Sequence, residues 1–374
     1  MRKIGIITFH TALNYGAVLQ AYALQKSLDS LGMENEIIDY RSPYIEKCYK
    51  PLFIAEGKIA NSIIRGILFG RIIAKKRNSF NGFITTKLKL SKSYDSVEQL
   101  SKAANQYKFF ITGSDQVWSP TSVGFDRAYF LPFAHDWQKF SYAASIGKNE
   151  LSESMLCEYK KRLDGFTFIS IRERSNINLI NKIDNKKEVL VHIDPTLLLT
   201  KEEWSVIAEE SKIDEPYILV FNVEKCVSNI EYAKRVAKKR GLKLVYINER
   251  TVIKDKDITY IQAAHPEVFL SLFLNAKVIV TNSFHGTVFS LIFQKEFYVE
   301  LENRKQQNTR AEALLEMVGV NNNVIKKDVS DENIVCDVNW ESVNNILALE
   351  RKRTFDYFKK IDAMNAKYAQ EEKM

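Results

Sequence analysis

Three residues in this chain are best suited to chemistry: His285, Arg172 and Lys305. An imidazole can move a proton near neutral pH. A guanidinium offers a fork that fits a carboxylate or phosphate bidentately, and a lysine supplies a point charge. The set suits a small, strongly charged anion bearing both phosphate and carboxylate. His285 sits in AKVIVTNSFHGTVFSLIF, residues 276 to 293, which reads as a buried strand, a polar turn and an apolar helix. Asn282 and Ser283 are N-cap types, and Gly286 lets backbone approach a ligand closely. His285 is thereby expected in the first turn of a helix at the carboxyl end of a strand, where open α/β sheets bind ligands. A helix N-terminus there attracts anions through free N–H groups and its partial positive charge. Taken alone, such a histidine reads equally well as a simple helix cap.

The elements that must hold these groups follow a strand–helix alternation. Lys3 to Phe9 predicts a buried first strand, and Gly16 opens a helix that Gly32 stops, with a second strand over Glu36 to Tyr40. Alternation breaks over residues 43 to 94. It resumes with strands at 108–112, 139–145, 166–172 and 189–193. After a charged linker at 212–216 a second series begins, with strands at 217–223, 243–247, 276–281 and 296–301 and helices between them. From Asn339 onward the pattern is one long charged helix. Two parallel-sheet domains with a closing C-terminal helix are the expected architecture.

Length and composition agree. A chain of 374 residues is long for one core, and 45% hydrophobic with 27% charged residues fits a globular protein. The N-terminal MRKIGIITFH reads as a strand rather than a signal peptide, and no apolar run is long enough to span a bilayer. Four scattered cysteines without a CxxC pair argue against disulfides and zinc and for a reduced, cytoplasmic setting. No His, Asp or Glu cluster has metal-ligand spacing, so neither a metal nor another cofactor is expected.

The net charge of +8 is concentrated. Residues 57–94 hold no acid and nine cations: Lys58, Arg65, Arg71, Lys75, Lys76, Arg77, Lys87, Lys89 and Lys92. A solvated face is one reading. Nucleic-acid binding is disfavoured, because the aromatics Phe69, Phe80 and Phe83 are few and no recognition module is present. The preferred reading is a surface facing a membrane or a diphosphate, at the inner face of the membrane, since isoleucine interleaved with arginine suits an anionic leaflet.

Other polar residues follow predicted strands. Asn14 and Gly16 shape the turn after the first strand and touch an anion through backbone. His10 is either an acceptor contact or a loop-packing residue, and Asp115 either orients an acceptor hydroxyl or a histidine, or caps a helix. Trp118 and His192 read as structural, as does His265. Glu173 reads as an ion-pair partner of Arg172 or Arg174, and Asp194 as a cap.

An ordered series of motifs now stands out: NYGAVLQAYAL at 14–24, GSDQVW at 113–118, SYAASIG at 141–147, ISIRE at 169–173, IDPTLLL at 193–199, HPEVFLSLFLNAKVIVTNSFHGTVFSLIF at 265–293, and the segment from Lys305 through Asn308 to Arg310. In this order, over nearly the whole chain, it resembles the polysaccharide pyruvyltransferase family. The resemblance implies two Rossmann-like domains with parallel sheets facing a cleft, similar to GT-B glycosyltransferases. With the linker and the strand–helix alternation above, the expected bounds are an N-terminal domain at 1–213 with a basic helical insertion at about 43–94, a C-terminal domain at 214–338, and a closing helix at 339–374. The resemblance also implies transfer of the enolpyruvyl-derived group of phosphoenolpyruvate to two hydroxyls of a sugar of a surface polysaccharide, or of its lipid-linked precursor, giving a pyruvate ketal. His285 then matches the family's acid, Arg172 its arginine, and Lys305 its lysine, with Arg304 as the competing position. Ser283, Gly286, Asn308 and Arg310 join Asn14 and Gly16 on the donor, while His10 and Asp115 face the acceptor. The rival readings are a glycosyltransferase with a nucleotide-sugar donor and a non-catalytic anion- or carbohydrate-binding relative.

Overall fold

Strands buried on both faces read as continuous runs of branched and aromatic residues, and such strands pair in parallel under covering helices. The computed structural model follows that rule in its central strands, and the strands pair in parallel throughout both sheets. Strands β1 (Lys3–Ile7), β2 (Asn35–Tyr40), β3 (Leu90–Tyr94), β4 (Tyr107–Thr112) and β5 (Lys139–Ser141) form a parallel sheet in the order β3-β2-β1-β4-β5. A parallel pair, β6 (Ile169–Ile171) and β7 (Val189–Val191), continues from it through isolated bridges between Phe140 and Phe168 and between Ala144 and Ile171. A second sheet comprises β8 (Tyr217–Phe221), β9 (Lys243–Ile247), β10 (Ile258–Ile261), β11 (Val278–Thr281), β12 (Glu296–Glu300) and β13 (Val324–Ile325), in the order β10-β9-β8-β11-β12-β13. The structure describes residues 2–49, 59–122, 124–184, 186–223, 226–248, 255–301, 305–325 and 336–371, with backbone alone for 59–65, 305–309 and 367–371.

Both strand orders reverse direction beside the first strand of the sheet. The switch falls between β1 and β4 in one sheet and between β8 and β11 in the other. Connections leave a switch point on opposite faces, so a crevice opens at the carboxyl ends of those two strands. The helix Tyr15–Ser30 follows β1 and the helix Phe284–Ile292 follows β11, so each begins at such a crevice.

The chain divides into two compact units: Met1–Cys48 with Ile84–Leu199 and Ala348–Met374, and Tyr49–Phe83 with Thr200–Leu347. This departs from the division expected at 213 and 214. Thr200 caps the helix Lys201–Ile207, and Trp204 of that helix packs edge-on against Phe289 at 5.3 Å, which draws 200–213 into the second unit. The basic stretch also belongs there up to Phe83 rather than to the first domain. Its helix, Ile59–Lys87, buries Phe80 and Phe83, and Ser79 Oγ donates to the Ala263 carbonyl at 3.5 Å. The helix Trp340–Glu371 is shared. Val343 and Leu347 are buried in the second unit, while Arg351 donates to the Leu197 carbonyl and Tyr357 to the Ser141 carbonyl in the first. Among the described residues no helix is long and apolar enough to cross a membrane.

His192, just after β7, is buried with Nδ1 2.8 Å from Ser170 Oγ and its ring centre 4.7 Å from that of Tyr357, the two rings tilted at 35°. Burial, aided by the Arg353 charge, pushes its pKa from 6.5 down to about 4. The folded state therefore holds a neutral ring while the unfolded chain takes up a proton below pH 6.5. Stability contributed by the neutral ring is full above that pH and is lost as pH falls towards 4, by about 3 kcal/mol in all. Urea titrations between pH 7 and pH 4 should show this loss in the wild-type protein and a shallower one in His192→Asn.

Candidate active site

The turn after β11 is fixed by a hydroxyl. Thr281 Oγ1 donates to the Phe221 carbonyl at the end of β8 and accepts from Ser283 N at 3.0 Å. Asn282 Oδ1 accepts from Val223 N at 3.0 Å, which ties the turn to the loop after β8. Ser283 is the N-cap of the helix Phe284–Ile292, its Oγ accepting from Gly286 N, as its residue type predicts. A Cβ at Gly286 would lie 2.2 Å from Thr281 Oγ1. The glycine thus serves close packing of helix on turn, where the sequence suggested room for a ligand.

His285 occupies the first turn of this helix, at the carboxyl edge and at the switch point, as its spacing predicts. It is 7% exposed, more enclosed than an open cleft residue, and its ring meets Phe284 edge-on at 5.1 Å. The Arg310 guanidinium lies 5.6 Å from the Phe284 ring centre, on the helix Lys305–Val318, which packs against the His285 helix. One unit therefore gathers a histidine, a helix N-terminus and an arginine around Phe284. The side chains of Lys305 and Asn308, and all of Arg304, lie outside the described residues. Sequence reasoning missed Phe284, which links the other two groups, and Glu300. Glu300 is buried at the end of β12 and accepts from Cys226 Sγ at 3.6 Å. Its place at the carboxyl end of a predicted strand was the available signal.

The residues expected from the other unit are differently employed. Arg172 was expected as an open fork for the donor. Its guanidinium is instead buried against Asp194 at 2.6 Å, Glu173 at 3.0 Å and Asp115 at 3.3 Å. Burial alone would lower its pKa, but these three carboxylates outweigh it and hold the group firmly protonated. The cluster stitches together the ends of β4, β6 and β7, since Asp115 also accepts Val117 N and Ser145 N through its carbonyl and Asp194 caps the turn Pro195–Leu198. Asp115 is thus a buried partner of Arg172, not a group presented to an acceptor. His10 is likewise internal. It is fully buried, with Nε2 3.0 Å from Asp39 Oδ1 and Nδ1 3.2 Å from the Thr8 carbonyl, so the acceptor reading gives way to the packing one. Burial would raise the Asp39 carboxyl, yet hydrogen bonds from His10 and Arg41 hold it below the usual range. Asn14 is the exposed N-cap of the helix Tyr15–Ser30, and Gly16 is buried inside that helix. Trp118 is fully buried and donates to the Tyr129 carbonyl.

The fold is α/β and of the GT-B kind, with two Rossmann-like units and an imidazole at a helix N-terminus on the second. The sequence profile of the family described as polysaccharide pyruvyl transferase matches residues 14–299, and the chain belongs to that family. No curated protein matches it by sequence. Among solved structures, a putative UDP-N-acetylglucosamine 2-epimerase from Listeria monocytogenes is similar at 10% identity and a TM-score of 0.53, covering 96% of this chain and 95% of its own. The S. aureus MnaA–UDP co-structure is similar at 13% identity and a TM-score of 0.50, covering 93% and 88%. At such identities the likeness is one of fold.

Removing a partner from a buried ion cluster leaves uncompensated charge and costs about 3–5 kcal/mol. Arg172→Met should destabilise the protein by that order in denaturant titrations, since three carboxylates lose their cation. Gly286→Ala should cost about 1–3 kcal/mol through overpacking on Thr281, read as a lowered midpoint in the same titration.

Proposed function

We propose that this polysaccharide pyruvyltransferase takes phosphoenolpyruvate as donor and joins two hydroxyls of a sugar as a pyruvate ketal. The acceptor would be a galactose-like hexose or an amino sugar of a surface polysaccharide, or its lipid-diphosphate-linked precursor, met at the inner face of the membrane. The observation that carries this is His285 in the first turn of the switch-point helix, with Arg310 over the adjoining Phe284. N–H groups of that first turn, Arg310 and Lys305 receive the donor's phosphate and carboxylate. Arg172 is assigned a positioning role within its own unit rather than a donor contact, because its fork faces carboxylates.

Protonated His285 gives its proton to the methylene carbon, and positive charge develops on the carbon bearing the phosphate ester. The first sugar hydroxyl adds there and returns a proton to the imidazole. The C–O bond to phosphate breaks with its electron pair, and the second hydroxyl closes the ketal, its proton leaving with phosphate. Positioning and fixed charge supply most of the acceleration.

A second reading keeps a nucleotide-sugar donor. Glu300 favours it, being an acid at the carboxyl end of β12 in the second unit, where such enzymes hold a ribose, although it is engaged by Cys226. Thermal stabilisation by phosphoenolpyruvate, compared with UDP-N-acetylglucosamine, separates the two. His285→Ala should lower ketal formation by about a hundredfold or more while donor stabilisation persists. Ketal formation at near wild-type rate in that variant, followed by mass spectrometry of the product, would remove His285 from the mechanism.

A further inference from the structure

The nine cations of the basic stretch do not act as one surface. Lys58 and the side chain of Arg65 lie outside the described residues. Lys76 is buried with its ammonium 5.2 Å from the Phe80 ring centre, Lys89 pairs with Asp29, and Lys92 sits over Tyr94. Arg71 and Lys75 are different. Both are exposed, and no salt bridge forms to either among the described residues. With Ala74, Asn78, Ser79 and His265 they line an open cavity of about 510 Å³ in the second unit.

The cavity has the chemistry of an anion site. His265 is exposed and stands as N-cap of the helix Pro266–Asn275, making no side-chain capping bond. The first-turn N–H groups behind it add partial positive charge. The nearest acid in sequence, Glu267, is buried and is not part of the lining. One face of the long helix carries the cations and something more. Residues 67, 71, 74, 75 and 78 recur at helical spacing, so Ile67 continues the stripe that lines the cavity, with Leu68 beside it. Ile67 is 77% exposed and Leu68 47% exposed. A pair of bare aliphatic side chains next to a cationic cavity fits a ligand with a hydrocarbon part and a phosphate part.

We infer that the cavity formed by Arg71, Lys75, Asn78, Ser79 and His265 binds a phosphate or diphosphate group. The ligand class is a diphosphate ester whose apolar chain runs along Ile67 and Leu68. This deepens the reading of a lipid-diphosphate-linked acceptor given above and rests on it for the ligand's role, while the binding itself can be tested alone. The cations hold the phosphoryl oxygens through charge-assisted bonds, and the exposed Asn78 supplies a neutral amide donor, while the Ser79 hydroxyl is spent on backbone carbonyls.

The test is calorimetric titration of the full chain with inorganic pyrophosphate and with farnesyl diphosphate, together with co-sedimentation on phosphatidylglycerol and phosphatidylcholine vesicles. Saturable pyrophosphate binding at millimolar concentration or below, weakened about tenfold or more in Arg71→Gln/Lys75→Gln and unchanged in Lys92→Gln, supports the site. Farnesyl diphosphate binding tighter than pyrophosphate, with the margin lost in Ile67→Ser/Leu68→Ser, assigns an amphiphilic ester. Equal affinity assigns a free diphosphate to the same cavity and overturns the apolar track. Binding to phosphatidylglycerol vesicles alone, or affinities unchanged in Arg71→Gln/Lys75→Gln, overturns the cavity. Circular dichroism and phosphoenolpyruvate stabilisation of each variant report folding. Absent stabilisation of the wild type by phosphoenolpyruvate sinks the donor assignment and leaves the cavity standing. Intact stabilisation without diphosphate binding does the reverse.

Discussion

The second unit turns on one hydroxyl. Thr281 Oγ1 bonds the carbonyl of Phe221 across the switch point, receives the amide of Ser283 and rests on Gly286. Those contacts join the ends of β8 and β11 and set the angle at which the next helix leaves the sheet. Everything asked of His285 depends on that angle, because a first-turn residue has no freedom beyond its own side-chain torsions. A threonine suits the position for two reasons. Its branched Cβ favours the extended backbone of a strand, and its hydroxyl can serve as donor and acceptor at once.

The first unit applies the same construction to a different end. Its carboxyl edge is rich in charged groups, but they satisfy one another. Arg172 draws in Asp115, Glu173 and Asp194 from three loops, and His10 is matched with Asp39. Low-dielectric surroundings make such networks costly to leave incomplete, so they fix loop conformation strongly. The two units thus share a topology while differing in what their strand ends offer a ligand.

Much of the fold was readable from the sequence because parallel strands are bounded by sharp changes of composition. The strand Lys243–Ile247 and the helices around it follow directly from periodicity. The strands that escaped notice are those whose residues do not look buried. In β3 the sequence LSKSY is largely solvated and sits in a basic stretch, and β10 and β13 are four and two residues long. For the site, His285 was legible because its neighbours in sequence are also its neighbours in space. Arg172 was legible only in part: its pairing with the adjacent Glu173 could be read, but the other two carboxylates that occupy it are 57 and 22 residues away in the chain. A cation at a strand end looks the same in one dimension whether it awaits a ligand or already has a counter-ion. The cationic cavity was hidden for the same reason, since His265 lies far along the chain from Arg71 and Lys75.

The sharing of the helix Trp340–Glu371 bears on how the protein is made. The first unit is assembled from three stretches of chain, and its third stretch includes Tyr357 and Phe358, whose rings close around Tyr142 and His192. During synthesis the β1–β5 sheet emerges early but lacks that wedge until the second unit has left the ribosome. The amino-terminal half therefore waits, with an apolar surface open, for a segment translated some two hundred residues after Tyr142. Apolar surface left open in a folding intermediate is a general route to aggregation.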